Sequence, residues 1–188
     1  MSINLIIELF SVAFGLLFLV LLIRENIWCW PFGVVSSALS VYLFIDAKLY
    51  SEAVLYAFYV VAGIYGWSVW GSGKAREYIQ RWSVKRSLPF FIIGVIGALG
   101  LNWFFSTQTD AANPAVDATT TSFSFVATYL EVHKVLSSWF YWIAVNAISV
   151  WLYQSRGLEI YSGLMVLYFF LSIYGWYEWN KRYKSAFS

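Results

Sequence analysis

Seven apolar runs, each long enough to cross a bilayer as a helix, limit the fold of this chain most strongly. A helix needs about 20 residues to span the hydrocarbon core. Charged or turn-forming residues, Arg24-Glu25 and Arg156-Gly157 among them, separate the runs. Pro31 and Pro89 fall near the starts of the second and fourth runs, and a first helical turn tolerates a missing N–H. We therefore predict an all-α integral membrane protein with seven transmembrane helices. The runs cover residues 4–23, 27–45, 50–70, 88–106, 118–136, 138–155 and 160–179.

Composition agrees with this prediction and excludes several classes of protein. Of the 188 residues, 61% are hydrophobic and 12% are charged, whereas soluble domains average about 25% charged residues. A net charge of +2 is too small to suggest nucleic-acid binding. Cys29 is the one cysteine and His133 the one histidine, so we expect no disulfide, no metal site and no cofactor. The sequence contains no Walker motif and no acid/base constellation, which argues against an enzyme or an ATP-driven pump.

The sequence contains an internal repeat at an offset of 109 residues. Residues 30–70 align with 139–179 without a gap, and thirteen of these 41 pairs are identical. Both blocks end in Ile-Tyr-Gly-Trp-x-x-Trp, a match that aromatic bias alone rarely produces. Parallel repeats of this kind are typical of carriers, in which the substrate site lies near mid-membrane between the two halves. The predicted organisation is a first three-helix repeat (1–70), a cytoplasmic basic loop (71–87), a linker helix (88–106), an external loop (107–117), a second repeat (118–179) and a cytoplasmic tail (180–188).

The distribution of Lys and Arg predicts the orientation in the membrane. Seven crossings place ten of the twelve basic residues on one side and leave only Lys48 and Arg156 on the other. Basic residues accumulate on the cytoplasmic side of membrane proteins. We therefore expect the N-terminus outside and the C-terminal tail in the cytoplasm, with lipid around the helices.

A polar stripe on the fifth helix provides the first candidate site residues. Five polar residues follow one another at spacings of 4, 3, 4 and 3, which places them on one helical face. Such residues are costly against lipid, so this face should point into the protein. For Thr128 a hydrogen bond within its own helix is the favoured interpretation. For Asp117 and Thr121 a site and a scaffold role stay equally open, and together with Ser124 they are the candidate site residues of this helix. The stripe consists of Asp117, Thr121, Ser124, Thr128 and Glu131.

The sixth helix offers the strongest single candidate, Asn146. It shares a face with Trp142, and its amide can both donate to and accept from a ligand. The alternative is a clamp between two helices. At the repeat offset, Asn146 pairs with Ser37 on the second helix, where Trp30 is a further candidate.

Helices three and seven supply aromatic candidates, Tyr56, Tyr59 and Tyr168. Aromatic faces can enclose a planar ring and attract a cationic ring through their quadrupole. The alternative is a packed aromatic core, which accounts for most rings in a chain with 22% aromatic residues.

Several motifs together resemble the PnuC family of vitamin transporters. They are Asn-Ile-Trp-Cys-Trp-Pro-Phe-Gly at 26–33, Tyr65-Gly66-Trp67-x-x-Trp70, Asp117-Ala-x-Thr-Thr and Trp139-x-x-Trp142-x-x-x-Asn146. The resemblance covers nearly the whole chain. It implies a 3+1+3 helix fold like a full-length version of the SWEET sugar transporters, commonly assembled as a trimer. It also implies facilitated diffusion of nicotinamide riboside, a vitamin B3 precursor, across a bacterial inner membrane, with a cytosolic kinase that traps the product. Trp142 and Asn146 match substrate-facing positions of the family.

The vitamin itself stays open at this stage. The sequence departs from the family at Tyr56, Gly63 and Tyr174, where members that carry nicotinamide riboside often have an amide side chain. Thiamine and riboflavin are therefore alternatives, and thiamine shares a cationic aromatic ring with nicotinamide riboside. No acidic pair lies at mid-membrane, which favours a uniporter over ion coupling. A membrane receptor and a sugar carrier are the remaining alternatives.

Overall fold

The computed structural model describes residues 3–46, 50–73, 78–109, 113–155, 157 and 159–186, and seven α-helices lie within them. The predicted all-α architecture is confirmed. Among the residues cited above, Lys48, Arg156 and two basic residues of the 71–87 loop, Lys74 and Arg76, lie outside the described ranges. The helices are α1 (Ile3–Ile23), α2 (Cys29–Asp46), α3 (Tyr50–Gly71), α4 (Val84–Gln108), α5 (Pro114–Val132), α6 (Ser138–Ser155) and α7 (Glu159–Ala186).

Among the described residues, four helices are long and apolar enough to cross a membrane by length and composition alone, namely α1, α2, most of α3, and α4. Their outward faces carry large apolar side chains, such as Ile96 and Trp103 on α4, which are 63% and 67% exposed. Water would penalise this surface, whereas lipid solvates it. The fifth to seventh helices hold more polar residues, and several of those on α5 are buried.

The chain forms two compact units, Met1–Glu77 and Tyr78–Ser188. In the first unit α2 packs against both α1 and α3. Three serines join α1 to α2: the Ser11 hydroxyl lies 2.7 Å from that of Ser40, and Ser36 donates to the Ser11 carbonyl oxygen at 2.8 Å. Hydroxyls of this kind hold helices together in lipid, where apolar side chains gain little from meeting one another.

The same packing motif occurs in each unit, at positions related by the repeat offset. In the first unit Trp30 lies edge-on to Trp70, with centroids 5.4 Å apart at 88°. In the second unit Trp139 and Trp179 repeat this geometry at 5.3 Å and 89°. Each buried indole also covers a glycine of the next helix in its repeat, Gly66 in α3 for Trp30 and Gly175 in α7 for Trp139. The Gly and the final Trp of each Ile-Tyr-Gly-Trp-x-x-Trp motif thus form the surface against which the buried tryptophan packs.

The second unit consists of α4 to α7, in which α4 packs on α5, α5 on α6, and α6 on α7. The Ser122 hydroxyl donates to the Gly94 carbonyl oxygen at 2.8 Å and joins α5 to α4. The expectation that Pro89 lies in the first turn of α4 is wrong, because the helix begins at Val84 and encloses the proline. The Ser83 carbonyl oxygen accepts from the amides of Arg86 and Ser87 at 3.0 Å, which starts the helix a full turn before Pro89.

Gln80, which precedes α4, forms backbone hydrogen bonds with the turn between α5 and α6. The Gln80 amide donates to the Lys134 carbonyl oxygen, and the Leu136 amide donates to the Gln80 carbonyl oxygen, both at 2.8 Å. The Gln80 side chain adds a bond to the His133 carbonyl oxygen at 3.1 Å. Lys134 adopts a φ of 51°, which ends the helical path. This turn explains why α5 ends at Val132, whereas the sequence predicts a helix to residue 136.

Candidate functional site

The second unit brings three helices together around Trp142 and Asn146, which lie one turn apart on α6. The Trp142 indole Nε1 donates to a carboxylate oxygen of Glu131 on α5. Glu131 is only 3% exposed. A carboxylate buried in a membrane helix is costly and marks a functional position by default.

Asn146 connects α6 to α7. Its Nδ2 donates to the Ser172 hydroxyl at 3.1 Å, and that hydroxyl donates in turn to the Tyr168 carbonyl oxygen at 2.8 Å. The amide nitrogen of Asn146 therefore joins α6 to α7, as the clamp interpretation predicts. The Asn146 carbonyl oxygen has no hydrogen-bond partner within the described ranges, so it stays available as an acceptor.

The polar stripe of α5 is largely turned inward, as the spacing predicts. Ser124 and Thr128 are 2% and 6% exposed, while Asp117 and Thr121 are half-buried. The Thr128 hydroxyl donates to the Ser124 carbonyl oxygen at 2.8 Å, the intrahelical bond expected for that residue. Glu131 is hydrogen-bonded to Trp142, a candidate on another helix.

The first unit contains the other four candidates. Tyr56 and Tyr59 stand at right angles, with centroids 5.5 Å apart at 83°, and both are half-buried on α3. Ser37 is 7% exposed and lies beside the serines that join α1 to α2. Trp30 is 2% exposed within the packing against Gly66 and Trp70. This placement favours a scaffold role for Trp30 and leaves Tyr56 and Tyr59 as the more accessible of the aromatic candidates in that unit.

Sequence reasoning placed Glu131 in the polar stripe but did not select it as a site residue. The available signal was its chemistry, since an ionisable side chain within a membrane helix is rarely structural. Ser172 was also missed, because its contact with Asn146 depends on how α6 and α7 are rotated about their axes.

The turn after α5 adds a neutral aromatic neighbour. The His133 ring lies 4.6 Å from that of Tyr129, and partial burial lowers its pKa, which favours the uncharged imidazole.

Within the described ranges, no group of three or more His, Cys, Asp and Glu side chains could hold a metal ion. The second unit therefore combines a buried carboxylate, an indole, an amide oxygen and Tyr168. Such a set can bind a polar planar molecule, and it contains no activated nucleophile.

Comparison with known proteins identifies the family of this chain. Residues 5–181 match the model of a family described as "Nicotinamide mononucleotide transporter". The chain belongs to this family. PnuC proteins are among its relatives: the nicotinamide riboside transporter PnuC of Escherichia coli (strain K12) is 25% identical over 201 residues, which cover 92% of this chain and 84% of that protein.

Two further relatives and a solved structure are similar over most of this chain. The nicotinamide riboside transporter PnuC of Neisseria mucosa is 27% identical, over 90% of this chain and 70% of that protein. The riboflavin/roseoflavin transporter RibM of Streptomyces davaonensis is 23% identical, over 89% and 81% respectively. A crystal structure of the vitamin B3 transporter PnuC matches with a TM-score of 0.79, covering 95% of this chain and 82% of that chain at 23% identity. The seven-helix PnuC fold is thereby confirmed for this chain.

Proposed function

We propose that this protein carries nicotinamide riboside into the cell by facilitated diffusion, with Trp142 and Asn146 as substrate contacts. The observation that carries the proposal is the joint position of these residues on one face of α6. There the indole is fixed by Glu131, and the amide oxygen has no hydrogen-bond partner among the described residues. A planar nicotinamide ring can stack on the indole, while its carboxamide N–H donates to the Asn146 oxygen.

The remaining candidates receive secondary roles in this proposal. Tyr168 lies beside the Asn146–Ser172 clamp, and Ser124, Thr121 and Asp117 continue the inward face of α5. Tyr56, Tyr59 and Ser37, in the first unit, stay candidate contacts. Trp30 is assigned to the scaffold, because packing encloses its ring.

Riboflavin is the second candidate substrate, since a riboflavin/roseoflavin transporter is similar over 89% of this chain. The departure at Tyr56, Gly63 and Tyr174 also supports a substrate other than nicotinamide riboside. Thiamine stays an alternative on the strength of its cationic ring alone.

The cellular setting belongs to the same proposal. The bias of the basic residues supports a C-terminal tail in the cytoplasm and an N-terminus outside, and a bacterial inner membrane is the proposed location. A carrier without energy coupling only equalises concentrations, so a cytosolic kinase that phosphorylates the vitamin would make uptake effectively irreversible. A homotrimer is the expected assembly.

Purified protein in liposomes tests the transport step. Radiolabelled nicotinamide riboside should enter until the internal and external concentrations are equal, and an unlabelled internal pool should accelerate entry by counterflow. Accumulation against a gradient under an imposed proton or sodium gradient would contradict a uniporter. Binding without counterflow would instead indicate a receptor.

Calorimetric titration tests the substrate. We expect binding of nicotinamide riboside, and weaker or no binding of nicotinamide mononucleotide, thiamine and riboflavin. Tight binding of riboflavin alone would move the protein to the second candidate function.

A further inference from the structure

Glu131 lies in the last turn of α5. The Trp142 Nε1 group is the one hydrogen-bond donor that reaches its carboxylate from the described part of the chain, and no Lys or Arg there forms an ion pair with it. A carboxylate has about four lone-pair positions for donors. Most of the hydrogen-bonding capacity of this buried group is therefore unused.

The described part of the chain supplies no positive charge that would pair with this group. The C-terminal end of a helix carries partial negative charge from its free carbonyl groups, which disfavours a nearby carboxylate. The imidazole of His133, two residues further on, has a lowered pKa and favours its neutral form. Buried charges in proteins are normally paired. A buried carboxyl without a cationic partner takes up a proton instead, so a bound cation is what would allow Glu131 to ionise.

We propose that Glu131 is the counter-ion that makes the site select a cationic aromatic ring over a neutral one, and that it also positions the Trp142 indole. The proposal rests on the proposed function and specifies its basis for substrate choice. Nicotinamide riboside carries a positive charge on its N-substituted pyridinium ring, whereas the isoalloxazine ring of riboflavin is neutral. The indole face attracts the cation through its quadrupole, and the carboxylate attracts it through its charge.

A pair of ligands isolates the role of charge. Nicotinamide riboside and its reduced dihydro form have nearly the same size and the same ribose, but the reduced ring is neutral. We expect the wild-type protein to bind the cationic form at least about tenfold more tightly, as a partly buried charge pair should produce. Calorimetry on the purified full-length protein measures both affinities.

Two substitutions separate charge from positioning. Glu131→Gln keeps an oxygen that can accept from Trp142 but removes the charge, so it should weaken binding of the cationic form about tenfold and leave the neutral form unchanged. Glu131→Leu removes the acceptor as well and should weaken both forms. Glu159→Gln removes an exposed carboxylate at the start of α7 and serves as the matched control, with both affinities retained.

The outcomes distinguish a failure of this inference from a failure of the proposed function. Wild-type protein that binds neither form and takes up no riboside would contradict the proposed function. Wild-type protein that binds both forms equally would overturn only the role of Glu131, and this measurement does not depend on any variant folding. A Glu131→Gln protein that keeps the wild-type ratio of affinities would overturn it too, whereas a ratio near one would support it.

Discussion

The Trp139 indole lies edge-on to Trp179 and directly over Gly175, a position where a single methyl group would overlap its ring. Trp30 meets Trp70 and Gly66 in the same way 109 positions earlier. Each repeat thus joins its second and third helices through one buried tryptophan that requires a glycine opposite.

Replacement of Gly175 by Ala should therefore destabilise the protein by about 1–3 kcal/mol, the usual cost of overpacking a core. Gly66→Ala should act similarly, because its added Cβ would lie 2.5 Å from the Trp30 ring. Thermal unfolding in detergent micelles measures the effect. Gly163→Ala is the control on α7, since nothing lies within 4 Å of its Cβ position. It should be neutral or slightly stabilising, and equal behaviour of all three variants would argue against the packing interpretation.

A second prediction concerns the serines of the first unit. Ser11→Ala removes the hydroxyl that meets Ser40 at 2.7 Å and the Ser36 carbonyl oxygen at 3.1 Å. Hydrogen bonds between membrane helices contribute about 0.6 kcal/mol on average and up to about 1.7. We expect a loss of stability in that range with ligand affinity unchanged, measured by unfolding and calorimetry. Ser106→Ala removes an exposed hydroxyl bonded within its own helix and should have a smaller effect.

The helix count and the repeat could be predicted from the sequence because both depend on local patterns. An apolar run of sufficient length has one low-energy form in lipid, and the two Ile-Tyr-Gly-Trp-x-x-Trp motifs fix the offset. The packing of Trp30 against Gly66 and Trp70 could not be predicted, since an aromatic residue at a repeat position suits a site and a core equally well. The partner of Asn146 depends on helix rotation, which the hydropathy pattern leaves undetermined.

The pairing of Gln80 with the α5–α6 turn was also beyond sequence reasoning, because it consists mainly of backbone hydrogen bonds. Such bonds can form with almost any side chain at these positions. The pairing ends α5 at Val132 and places Glu131 in the final turn of that helix.

A third prediction follows from this pairing. Gln80→Ala removes the side-chain bonds to the His133 carbonyl oxygen at 3.1 Å and from the Trp82 indole at 3.0 Å, while the backbone pairing can persist. We expect faster hydrogen exchange at the backbone amides of residues 80 and 136 and a loss of about 1–2 kcal/mol of stability. Mass spectrometry of exchanged peptides measures the first effect. Gln108→Ala, at the exposed end of α4, should leave exchange at both amides unchanged. Unaltered exchange in the Gln80 variant would show that the backbone pairing alone holds the turn.

The last prediction separates binding from scaffolding at Asn146. Asn146→Leu removes its hydrogen bonds at nearly constant volume, so a residue that contacts the ligand should lose about 1–3 kcal/mol of binding free energy while the fold is retained. Ser172→Ala is the matched variant, because it removes the clamp partner at 3.1 Å but leaves the amide in place. We expect calorimetry to show weakened riboside binding for the first variant and near-normal binding for the second. Equal losses of stability in both, with affinity unchanged, would assign Asn146 to the α6–α7 clamp alone and leave Trp142 as the remaining α6 contact.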